Sequence, residues 1–113
     1  MNEELVAIAM EIILHAGDAR KLISDAGNQV AKFNPVEAEN KLKEAHLSIL
    51  KAHKAQTNMI QREAEGEPVQ ASVLFNHAQD TLMVTTSEYN STKQLNNLAK
   101  ALIEKLGIEG EEK

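Results

Sequence analysis

Lys32-Phe33-Asn34-Pro35-Val36-Glu37 interrupts what is otherwise a helical pattern running from residue 3 to residue 64. Asn34 suits the N-cap of a following helix, Pro35 its first turn, and Glu37 the position of a reciprocal capping residue. Before the interruption, Leu5, Ile8, Ala9, Ile12, Ala16, Ala19, Ile23 and Ala26 recur at steps of three and four. At about 100° per residue they share one arc of about 100°, the stripe of an amphipathic helix. Val30 extends the stripe, and Gly17 and Gly27 weaken it by about 1 kcal/mol each against alanine. After the interruption, Ala38, Leu42, Ala45, Ile49, Ala52, Gln56, Met59 and Ile60 form a second stripe. The segment therefore predicts two antiparallel helices, about 3–31 and about 35–64.

Glu65-Gly66-Glu67-Pro68 stops the second helix, and a third is expected over about 72–106, with Gly107 just past its end. Its stripe comprises Val73, His77, Val84, Leu95, Leu98, Leu102 and Leu106, and a second row follows Leu74, Ala78, Leu82 and Ile103. So broad an arc predicts one flank buried in the bundle and another against something else. Thr85 to Thr92 is a run of weak helix formers, which leaves open whether the helix continues through it or kinks or frays there. Ile108 to Lys113 reads as a flexible acidic tail. The expected fold is all-α, an antiparallel up-down-up three-helix bundle over residues 1–107.

Composition narrows the function. The chain has 113 residues, enough for one domain, with 17 acidic against 12 basic side chains and a net charge of -5. That balance argues against nucleic-acid binding and against anionic membrane surfaces. The absence of cysteine excludes disulfides, thiolate metal sites and cysteine nucleophiles. No window approaches the roughly 20 apolar residues of a membrane span, and Met1-Asn2-Glu3-Glu4 is acidic where a secretory signal is basic. A cytoplasmic protein without membrane insertion is expected. With Phe33, Phe75 and Tyr89 as its only aromatic residues, the chain favours helices over sheets.

The chemistry-bearing residues are few. The chain has neither an HExxH pair, nor a phosphate-binding glycine loop, nor a GxSxG elbow. His77 lies near the centre of the third stripe, with Asp80 and Thr81 three and four residues on, so imidazole, carboxylate and hydroxyl share a face that reads as buried. A buried aspartate needs a partner, a metal or a proton. Two readings stand at this point: a core histidine satisfied by hydrogen bonds, or a nucleophile or ligand. Gln56 sits within the second stripe and wants hydrogen-bond partners; His53 and His46 lie at its edge. His15 borders the first stripe and reads as structural. The methionines read as core filler, and Lys41, Lys43, Lys51 and Lys54 as a solvated face.

The run Ser72-Val73-Leu74-Phe75-Asn76-His77-Ala78-Gln79-Asp80-Thr81-Leu82-Met83 resembles the active-site segment of the enzyme IIA component of the lactose/cellobiose/chitobiose class. That class belongs to the bacterial phosphoenolpyruvate-dependent sugar phosphotransferase system. His15-Ala16-Gly17-Asp18-Ala19-Arg20 resembles the family's first-helix motif. Glu44-Ala45-His46 through His53-Lys54-Ala55-Gln56-Thr57 is similar to its second helix.

The resemblance implies a homotrimer of three-helix bundles and a phosphoryl relay. The phosphocarrier protein HPr would donate to His77, forming a tele-phosphohistidine, and a cysteine of enzyme IIB would accept, so that a disaccharide is phosphorylated on uptake. His53, Gln56, Gln79 and Thr81 correspond to groups that stabilise the phosphate. Asp80, one from each subunit, corresponds to the ligand of a divalent cation, Mg2+ by expectation, on the trimer axis. The family usually has histidine where this chain has Thr81, valine or methionine where it has Asn76, and a more apolar helix than Val84 to Thr92. The competing expectation is a non-catalytic interaction or regulatory module that retains the fold.

Overall fold

The computed structural model describes residues 3–66 and 73–107. Three helices, α1 (Glu3–Ala31), α2 (Pro35–Ala64) and α3 (Val73–Leu106), run up-down-up in a bundle of 58 × 20 × 19 Å. The expected stop at Glu67-Pro68, the expected helix start at Ser72 and the acidic tail 108–113 lie outside the described residues.

The α1–α2 corner forms as its sequence dictates, with one exchange of partners. The Asn34 side chain accepts a hydrogen bond from the Glu37 N–H at 3.4 Å, and Pro35 opens α2. The backbone N–H of Asn34 donates back to the Gln29 carbonyl (2.9 Å), so α1 supplies the bond expected from the Glu37 side chain. The Phe33 N–H donates to the Val30 carbonyl, also at 2.9 Å. These two bonds give α1 a Schellman-type end. They place Phe33 in the left-handed region at φ 54°, a conformation that disfavours a side chain by about 1–2 kcal/mol. Asn34 is buried within this corner. At the same end of the bundle, Gly107 takes φ 64° and closes α3 with no such strain.

The core is built largely from alanine and branched aliphatic residues. The buried residues of α1 are Leu5, Ile8, Ala9, Ile12, Ala16, Ala19, Ile23 and Ala26, the same stripe that periodicity picks out. In α2 the buried row is Ala38, Leu42, Ala45, Ile49, Ala52, Ala55 and Met59. Gln56 is only half-buried and Ile60 is exposed, because the seam with α1 passes through Ala55. Of the methionines, Met59 fills the core, whereas Met10 and Met83 face outward.

Helix α3 departs furthest from expectation. Its buried residues are Ala78, Leu82, Thr85, Asn96 and Ala99, which follow the second row. Val73, His77, Val84, Leu95, Leu98 and Leu106 of the expected stripe are exposed. The small side chains Ala78 and Ala99 allow close approach to the alanine-rich faces of α1 and α2, and the bulkier row is left outside. Buried Asn96 donates from Nδ2 to the Pro35 carbonyl at 3.2 Å, tying α3 to the start of α2.

The run Thr85 to Thr92 stays helical rather than kinking. Thr81, Thr85 and Thr86 each donate their hydroxyl to the carbonyl four residues earlier, at 2.7, 2.6 and 2.9 Å. The ladder continues unbroken past these hydroxyl bonds.

Ion pairs join the helices at the surface: Arg62 with Glu4, Arg20 with Glu88, and Lys100 with Glu39. The Arg62 guanidinium holds the Glu4 carboxyl below its ordinary range, and the Lys100 ammonium does the same for Glu39. All are exposed enough for water to screen them.

A Cβ built on Gly17 or Gly27 meets no atom within 4 Å, and neither residue has a positive φ. Replacing either with alanine removes backbone freedom from the unfolded chain and adds no clash. Gly17→Ala and Gly27→Ala should each raise stability by about 0.5–1 kcal/mol, read from urea midpoints at constant m-value.

Candidate functional site

Helix α3 presents two flanks and a crest between them. Glu88 faces α1, where Arg20 Nε and Nη2 donate to its two carboxylate oxygens at 2.8 and 3.1 Å. His77 stands eleven residues before Glu88, about three whole turns, so it lies on the same α1-facing flank. Gln79 is about 200° around the helix from His77 and faces α2. There the Gln56 Nε2 donates to Gln79 Oε1 at 3.3 Å.

Each flank borders a groove. The α2–α3 groove holds about 490 Å³ and is lined by His53, Gln56, Gln79, Thr86, Asn90 and Gln94, with Leu82 and Met83 as its apolar wall. The α1–α3 groove holds about 690 Å³ and includes Arg20, Lys21 and Ser24. Ser87 and Ser91 line both grooves, which makes them the crest that separates the two.

This geometry divides the expected site residues. His53, Gln56 and Gln79 come together in the α2–α3 groove, which no carboxylate lines among the described residues. The Gln56–Gln79 bond occupies the Gln79 oxygen and leaves its amide protons for a further acceptor. His77 is on the opposite flank and exposed, so the core-histidine reading is overturned: the α3 row that packs inward is one position away, at Ala78. Asp80 is exposed one turn further on, toward the crest. The Thr81 hydroxyl donates to the His77 carbonyl at 2.7 Å.

The other histidines stay apart from this arrangement. His46 is exposed, its ring 5.6 Å from that of Tyr89. His15 sits beside Glu11, Nε2 to carboxylate 3.7 Å. Among the described residues no group of three His, Asp or Glu side chains could hold a metal ion. A single chain therefore offers an accessible imidazole on one flank and a set of imidazole and amide groups on the other, with the Asp80 carboxylate near the crest.

Residues 7–100 match the family model described as the lactose/cellobiose-specific IIA subunit of the PTS system. The chain belongs to that family. It is 38% identical over 99 residues to the lactose-specific EIIA component of the PTS system of Staphylococcus epidermidis, covering 88% of this chain and 95% of that protein. To the lichenan-specific phosphotransferase enzyme IIA component of Bacillus subtilis it is 36% identical over 107 residues, covering 95% and 97%. The crystal structure of the PTS cellobiose-specific enzyme IIA from Bacillus anthracis superposes with a TM-score of 0.86 at 33% identity, covering 93% of this chain and 96% of that one. No helix among the described residues of this IIA chain is long and apolar enough to cross a membrane.

Sequence reasoning missed two features of this IIA surface. One is the paired bond from Arg20 to Glu88, which fixes the orientation of the His77 flank against α1. The other is the serine crest. Its signal was the alternating step of four and three through Asp80, Val84, Ser87, Ser91, Gln94 and Leu98, a pattern masked by the polarity of its middle members.

Proposed function

We propose that this IIA subunit is a phosphoryl carrier whose nucleophile is His77 Nε2. In this reading the nitrogen lone pair attacks the phosphorus of phosphorylated HPr. A new N–P bond forms as the N–P bond to HPr breaks. The phosphoryl group then passes to a cysteine thiolate of enzyme IIB, regenerating neutral His77, and serves uptake of a lactose- or cellobiose-type disaccharide from the cytoplasmic side. Phosphoryl transfer asks the protein mostly for position and charge stabilisation. A histidine held on a continuous helix meets the first demand, and the imidazole and amide donors of His53, Gln56 and Gln79 meet the second.

The observation that carries this reading is the division of the site between the two flanks of α3. His77 is exposed, yet its own chain's His53, Gln56 and Gln79 lie on the other side of the crest. A homotrimer with α3 toward its axis resolves the division. Each seam would set the His77 flank of one subunit against the donor groove of the next, as cyclic symmetry requires of a head-to-tail interface. The exposed aliphatic residues Val84, Leu95, Leu98 and Leu106 are the surface such an assembly would cover. Asp80 of each subunit fits a hard divalent cation such as Mg2+ by its chemistry, an exposed carboxylate near the crest. When bound, that ion supplies charge neutralisation between the carboxylates. The Thr81 hydroxyl, bonded to the His77 carbonyl, stands one turn from the nucleophile.

The test is incubation with phosphoenolpyruvate, enzyme I and HPr, followed by detection of an acid-labile phosphoryl adduct. Wild type should label and His77→Ala should fall to background. If wild type takes up no label, or His77→Ala labels equally, the carrier reading is wrong and the non-catalytic module takes its place.

A further inference from the structure

The crest of α3 is apolar at both ends and polar in the middle. Met83 and Val84 stand at one end, 71% and 48% exposed, and Leu95 and Leu98 at the other, 53% and 55% exposed. Between them Ser87, Asn90, Ser91 and Gln94 are exposed. Ser87 and Ser91 are at the summit, since both grooves reach them. The helix is unbroken through this belt, so Ser87, Ser91 and Gln94 are carried on one outward strip about 60° wide. Resting on the homotrimer reading, we infer that the belt makes the subunit seam labile. Subunits exchange between assemblies, and the divided site forms and dissolves with them.

The physical reason is a difference in what each layer releases on association. Aliphatic side chains gain by leaving water, in proportion to the area removed. Hydroxyl and amide groups leaving water must find equivalent hydrogen bonds, and the net return is small. A polar layer within an otherwise apolar helix seam fixes register and oligomer order while lowering stability. Here the belt lies about three to five turns beyond His77 on the same unbroken helix, so the register it fixes is the one that sets His77 opposite the next subunit's donors.

Ser87 and Ser91 are exposed and form no hydrogen bond with another helix among the described bonds, so leucine at both positions leaves the single-chain fold intact. Isotopically labelled and unlabelled chains are mixed in constant excess magnesium, and native mass spectrometry follows the appearance of mixed trimers. Wild type should mix within minutes at micromolar concentration. Ser87→Leu/Ser91→Leu should mix at least tenfold more slowly and stay assembled at dilutions where wild type dissociates. Gln94→Leu, a second single change in the belt, should slow mixing in the same direction. Circular dichroism confirms that each variant is folded.

Wild type exchanging as slowly as both variants, with trimers present throughout, overturns the inference and leaves the carrier reading standing. Monomers at every concentration overturn the trimer reading itself.

Discussion

Chains carrying His77→Ala and chains carrying His53→Ala together with Gln56→Ala should regain phosphoryl uptake when combined, although neither preparation labels well alone. The first lacks the nucleophile. The second keeps it but loses donors to the phosphate oxygens, and removing one such donor commonly lowers a rate about 100-fold or more. In a cyclic trimer each seam takes its nucleophile from one subunit and its donors from the next. Random assembly of equal amounts makes roughly a quarter of the seams wild type in both halves. The mixture, unfolded and refolded together so that exchange rate is irrelevant, should therefore label at about a quarter of the wild-type initial rate. A mixture that labels no faster than the double variant alone would falsify the divided site. So would a His53→Ala/Gln56→Ala chain that labels like wild type.

That experiment depends on a feature the sequence only half disclosed. The stripes of α1 and α2 were legible because each helix has one apolar row and packs with it, Leu5 to Ala26 and Ala38 to Met59. The corner between them was legible because Asn34 and Pro35 have strong local preferences. Its closing geometry was not, since nothing marks Phe33 as a residue that will accept a positive φ.

Helix α3 carries two apolar rows, and periodicity cannot say which turns inward. The choice depends on fit. Ala78 and Ala99 let α3 approach the alanine faces of its neighbours, and a row of valine and leucine does not. The same ambiguity left His77 open between a core histidine and an accessible nucleophile, and its row in fact faces outward. The candidate site was therefore legible as residue types, through the resemblance of His77-Ala78-Gln79-Asp80 to a known motif, but not as an arrangement. That Gln56 and Gln79 bond each other while His77 faces away is a matter of which flank each residue occupies. The weak helix formers of Thr85 to Thr92 left open whether the helix continues through them; it does, with the Thr85 and Thr86 hydroxyls donating to the carbonyls four residues earlier.

Replacing Asp80 with leucine should hold the assembly together without magnesium. Asp80 is exposed in the single chain and makes no ion pair among the described residues, so its carboxylate has water as its solvent. A three-fold axis would take three such carboxylates out of that solvent and bring them close together. Two like charges about 5 Å apart at an effective dielectric of about 20 repel by about 3 kcal/mol, and a trimer has three such pairs. A divalent cation offsets this repulsion; chelation restores it. Leucine removes it outright and adds apolar area at the seam, worth about 2 kcal/mol for a well-buried side chain. Sedimentation velocity at micromolar chain concentration should show wild type shifting from trimer toward monomer on adding EDTA, whereas Asp80→Leu remains trimeric with and without it. The opposite order, Asp80→Leu dissociating where chelated wild type holds, would mean that the carboxylates do not meet at the axis. Because Asp80 is one turn from His77 and is assigned no part in the transfer itself, Asp80→Leu should also keep phosphoryl uptake within a few-fold of wild type. That result would separate the charge at the axis from the chemistry at the seam.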